Sequence, residues 1–157
     1  MSIKNKHKFL ATYGNSDHIE HVLNHSNDEE TIETAANNPS LGENAMNKLV
    51  NSPKSFRRIT VSQNPNLKKE HLDKLVNDPE EEVRIGLTQN PSLKKEHIDK
   101  LLQDDSHWVL PDLIGGPHKH QISHEQANVG LENLKRLGSH FVDSYKRDAK
   151  KIHGHDL

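Results

Sequence analysis

The chain has no cysteine among its 157 residues, which excludes disulfide frameworks and thiolate metal sites together. Aromatic residues make up 4% and hydrophobic residues 31%, too few to fill a deep single core. A formal charge of −2, from 21 basic and 23 acidic residues, gives no global field of the kind a nucleic-acid binder carries. No apolar run approaches membrane-spanning length, so no membrane partner is expected. The opening MSIKNKHKFL lacks the apolar stretch of a secretory signal, so the expected compartment is the cytoplasm, of a cell or of an infected cell. No Ser-His-Asp set, phosphate-cradling glycine loop or HExxH is present, so nothing positive supports an enzyme or a cofactor.

What the chain does have is repetition. Pro39, Pro65, Pro91 and Pro117 are each 26 residues apart. The segment PNLKKEHLDKLVNDP starting at Pro65 is nearly rewritten as PSLKKEHIDKLLQDD from Pro91. A fixed period of this size marks stacked supersecondary units, each burying a thin strip against its neighbours. Within each unit an Asn-Pro pair stops one helix and starts the next, because proline fixes φ and restricts the residue before it. Met46, Leu49 and Val50 are spaced i, i+3, i+4, as are Leu72, Leu75 and Val76, one face of a first helix. A break at Asn51-Ser52-Pro53 or Asn77-Asp78-Pro79 precedes a second helix that turns Val83 and Leu87 toward the stack.

The ends depart from the period. Residues 1–13, with Lys4, Lys6 and Lys8, read as a loosely docked N-terminal arm. Residues 14–117 hold about four helix-pair repeats. The last of these degrades to DDSHWVLPDLIGGP, with Trp108, Val109, Leu110, Leu113 and Ile114 set to plug the open face. Residues 118–157 form a C-terminal arm. There Ser123 to Gln126 is a capping box, and Leu131, Leu134, Phe141 and Tyr145 lie on one stripe. Their spacing predicts one long amphipathic helix of about 30 residues.

Asn-Pro-x-Leu, a leucine-rich helix, Asp-Pro and then Val-Arg resemble the leucine-rich repeat variant family, HEAT-related α-solenoids. The match runs from about Asp17 to Pro117 and is carried by Asn64, Pro65, Leu67, Leu72, Leu75, Asp78, Pro79, Val83, Arg84, Asn90 and Pro91. The period is slightly longer than that family's usual unit, and the cysteine cluster that binds an iron–sulfur centre in one member has no counterpart here. The resemblance implies an all-α, right-handed α-solenoid acting as a binding or assembly surface. Short stand-alone proteins of similar pattern also occur in tailed bacteriophages.

The candidate residues follow from the repeat. Arg58 and Arg84 occupy equivalent positions, with Asp78 and Asp104 at equivalent turns, so the arginines are expected to hold register rather than bind a ligand. Lys68, Lys69 and His71 recur as Lys94, Lys95 and His97, an expected solvated ridge. His118, His120, His124, His153 and His155 form a histidine-rich tract whose spacing specifies no convergent metal site, so no metal is expected. The stripe Leu131, Leu134, Phe141 and Tyr145 must be buried by the end of the stack, a second copy or a partner, and an intermolecular role is favoured. The leading functional expectation is a non-enzymatic protein–protein interaction or scaffold module, reaching a protein partner or itself through the C-terminal helix. One alternative is a structural component of a phage particle, placed in the virion; the other is a nucleic-acid-binding solenoid.

Overall fold

The computed structural model describes residues 2–154, and among them the chain is all-α: eleven helices, one 3₁₀ turn and no strand. The helices are α1 Ile3–Tyr13, α2 Ser16–His25, α3 Glu29–Ala36, α4 Glu43–Val50, α5 Ser55–Ser62 and α6 Lys69–Leu75. They continue as α7 Glu81–Thr88, α8 Lys95–Leu101, α9 Val109–Gly115, α10 His124–Arg136 and α11 Val142–His153, with the 3₁₀ turn at Lys119–Gln121 before α10.

Helices of seven or eight residues, such as α3 to α9, are too short to persist alone in water and are held by packing. Two layers provide it. The odd-numbered helices α1, α3, α5, α7, α9 and α11 each pack against the next in one layer. In the other, α2 packs on α4 and α4 on α6, while side-chain bonds link α6 to α8 and α8 to α10. Leu72, Leu75, Val83, Leu87, Ile98 and Leu101 are buried between the layers, in a continuous strip that runs from Ala11 to Ala149.

Two expectations fail at the ends. The N-terminal segment is no loose arm: Ser2 caps α1, which packs on α2 and α3 and buries Ala11 and His7. Nor is the C-terminal segment one long helix. The chain reverses at Gly138, whose φ of 65° lies in the left-handed region that favours glycine. The Ser139 N–H donates to the Leu134 carbonyl and the Gly138 N–H to the Lys135 carbonyl, the Schellman closure that ends a helix. After this turn α11 folds back along α10 and onto α9. At Gly130 an added Cβ would lie 2.1 Å from the Tyr145 hydroxyl, so this glycine is what lets the hairpin close.

Candidate interaction surface

The repeated polar residues spend their hydrogen bonds between successive units. The Asn38 amide donates to the carbonyls of Ala11 (2.8 Å) and Thr12 (3.1 Å), Asn64 to Ala36 (2.6 Å), and Asn90 to Ser62 (2.6 Å) and Asn64 (2.9 Å). Each of these asparagines also accepts, through Oδ1, from the backbone N–H two residues on. The Asn-Pro signature is therefore a device that caps the preceding odd-numbered helix or the turn after it. It satisfies orphan carbonyls in sites where unmet ones are costly.

The arginines form a second ladder. Arg58 donates from Nε and Nη2 to the Asp78 carboxylate at 2.7 and 3.0 Å and from Nη1 to the Ser52 carbonyl. Arg84 repeats this with Asp104 at 2.7 and 3.0 Å and with the Asp78 carbonyl, and adds Asp105 at 3.0 Å. Both pairs are bidentate and nearly closed to solvent. The carboxylate holds each guanidinium more firmly in its charged form, against a burial cost that acts the other way.

The expected ridge divides. His71 and His97 are not on it; both are buried. The Nδ1 atom of His71 accepts from the Lys68 backbone N–H at 3.1 Å, which leaves the proton on Nε2 to donate to Asn47 Oδ1 at 2.8 Å. His97 does the same with Lys94 (3.0 Å) and Asp73 (2.9 Å). Each ring thus caps the start of its own helix and reaches the preceding unit, a role that fixes its tautomer and draws it inward. The lysines do lie on the surface, but Lys68 pairs with Glu43, Lys69 with Asp73 and Glu96, and Lys95 with Asp99. Lys68 and Glu43 each stabilise the other's charged form. The lysine ridge therefore carries interleaved acids rather than a basic stripe.

The C-terminal stripe is consumed within the chain. Leu131, Leu134 and Tyr145 are buried where α10 and α11 pack on each other and on α9, which removes them from any intermolecular surface; Phe141 is half-buried at the hairpin turn. Of the histidine-rich tract, His118 is buried with Nε2 against the Asn90 carbonyl at 2.7 Å, and His120 is exposed. His124 and His153 meet edge to face, and His155 lies outside the described residues. Among the described residues, no group of three or more His, Cys, Asp or Glu side chains is arranged to hold a metal ion.

Trp108 also departs from expectation. Val109, Leu110, Leu113 and Ile114 are buried as the plug of the stack, but Trp108 stays 48% exposed. It sits at the N-cap of α9, where the chain turns in from solvent, and its backbone N–H donates to Ser106 Oγ at 3.2 Å. Around it gather Phe141 (ring centroids 5.0 Å), His107 (5.4 Å) and His140 (6.1 Å), in tilted and edge-to-face pairs. Beside this cluster lies a shallow hollow of about 430 Å³ lined by Glu80, Glu81, Glu82 and Asp105, with Arg84 and Ser106 in its wall. Ser106 joins the two features, because its Oγ donates to Glu81 Oε2 at 2.6 Å. Reading the residues in order missed this cluster. Its signal was the repeat column Glu30, Phe56, Glu82, Trp108, a set spaced by 26 that the packing of α3, α5, α7 and α9 brings to one edge.

No protein-family model matches this chain, and no curated protein and no solved structure matches it either.

Proposed function

We propose that the chain is a non-enzymatic interaction module, an α-solenoid of the leucine-rich repeat variant kind that serves as an adaptor or assembly component. The observation that carries this reading is the ring cluster at the edge of the stack, in which Trp108 and His140 are exposed and His107 and Phe141 half-buried. Trp108 and Phe141, two of the chain's six Phe, Trp and Tyr residues, meet here with two histidines, and a half-exposed tryptophan packed among other rings is the composition of a binding hot spot. The repeated polar residues support it from the other side. Asn, Arg and His at their repeat positions are engaged in holding the units together, which suits a scaffold. The interleaved acids along the lysine ridge weigh against the nucleic-acid reading.

The test is light scattering on the full chain together with the protein that copurifies with it from its native cell, reconstituted from purified components. A complex of fixed stoichiometry is expected. Failure of any purified partner to form one, with the chain itself monomeric, overturns the reading.

A further inference from the structure

We infer that the Trp108 face takes a lysine- or arginine-rich segment of a protein partner; this rests on the reading of the chain as an interaction module. Two observations meet at one place. The first is the indole of Trp108, 48% exposed and braced by Phe141 and two histidines. The ring faces of tryptophan are the strongest natural cation–π acceptors, and arginine is the side chain most often found on them. The second is the neighbouring hollow. There four carboxylates, on Glu80, Glu81, Glu82 and Asp105, face one guanidinium, that of Arg84, which Asp104 already pairs. Glu80 and Glu82 are exposed, so their charge is available to an incoming cation, while Asp105, also exposed, already bonds Arg84. Ser106 bonds Glu81 and also accepts from the Trp108 N–H, so the aromatic and acidic parts are one surface. An acidic segment meets like charge there and a purely apolar one leaves the carboxylates without a counter-charge; a basic one finds a stacking face and counter-charges side by side.

The chain's single tryptophan reports on the site directly. Octa-arginine, labelled for anisotropy and unlabelled for Trp108 fluorescence, is titrated into the full chain, with octa-glutamate as the opposite-charge probe. The expected result is a saturable change in Trp108 emission with octa-arginine and none with octa-glutamate. Binding should weaken about tenfold in Trp108→Leu and in the Glu80→Gln/Glu82→Gln pair. Glu29→Gln/Glu30→Gln, on α3 two repeats before Glu81 and Glu82, should change it less than about twofold, which separates a local site from general attraction of a polycation. Thermal melts confirm that each variant is folded. The inference is overturned if octa-glutamate binds as well, if octa-arginine does not bind, or if it binds equally to the Glu80/Glu82 and Glu29/Glu30 variants. A stoichiometric partner complex that ignores Trp108→Leu and the charge variant sinks the basic-segment assignment alone. Absence of any complex sinks the module reading beneath it.

Discussion

The middle of the stack and its C-terminal end perform the same tasks with different residues. In the middle, an asparagine caps each odd-numbered helix or the turn after it, and a histidine starts α6 and α8, though not α4, which begins at Gly42. At the end, His118 replaces the asparagine, reaching the Asn90 carbonyl, and Gln126 replaces the histidine. Gln126 accepts from the Ser123 N–H through Oε1 and donates to Asp99 through Nε2, atom for atom what His97 does with Lys94 and Asp73. The stack thus continues past the point where the repeat ceases to be visible. What travels along it is a pattern of donors and acceptors, and any side chain with one of each at the right reach can supply it.

The comparison is broken hardest in the middle. Leu75 is fully buried between layers, so Leu75→Ala should cost about 2–5 kcal/mol in a urea melt. Arg84→Ala removes the charged bonds to Asp104 and should cost about 1.5–3 kcal/mol, since Asp104 loses its partner in a nearly closed site. An unchanged melting midpoint for Arg84→Ala would show that the arginine ladder does not hold register.

The end is tested through its hairpin. Gly130→Ala sets a methyl against the Tyr145 ring and hydroxyl and should destabilise by about 1–3 kcal/mol, as overpacking does. The Tyr145 hydroxyl is buried without a hydrogen-bond partner among the described residues, so Tyr145→Phe should raise stability by about 1 kcal/mol. A loss on Tyr145→Phe would mean that the hydroxyl has a use that its surroundings do not show.

How much could be read in advance followed the chemistry of each signal. Asn-Pro is legible because proline allows few backbone conformations and an asparagine beside it has one task, so period and core emerged together. The first helix was hidden because it buries Ala11 and His7, a small residue and a polar one, among alternating lysines. The hairpin was hidden because Leu134 and Phe141 lie seven apart, a spacing that fits one straight helix as well as two helices joined at Gly138. The Trp108 site was hidden because an apolar run reads as core. Only the N-cap position of Trp108, set by the turn at Asp104 to Ser106, separates it from its buried neighbours.

The finest test of the equivalence between middle and end uses pH. Burial lowers the His71 pKa; Glu70 and Glu43 oppose this and Lys68 assists it. The geometry demands the same direction, because Nδ1 must stay unprotonated to accept from the Lys68 N–H, while Asn47 takes the Nε2 proton. As pH falls through the ordinary histidine value of 6.5, the unfolded chain takes up the proton before the folded one. The contribution of His71 to stability is therefore complete above that value and drains away below it. A glutamine in its place offers the same acceptor and donor, as Gln126 does, and carries no titrating group. His71→Gln should thus melt within about 0.5 kcal/mol of the parent at pH 7.5, the size of an interaction exchanged for its equivalent. Between pH 7 and pH 5 it should lose less stability than the parent. If the two chains lose stability in parallel over that range, His71 is not the titrating cap. If the variant is already strongly destabilised at pH 7.5, the glutamine of the last unit and the histidine of the middle units are not interchangeable.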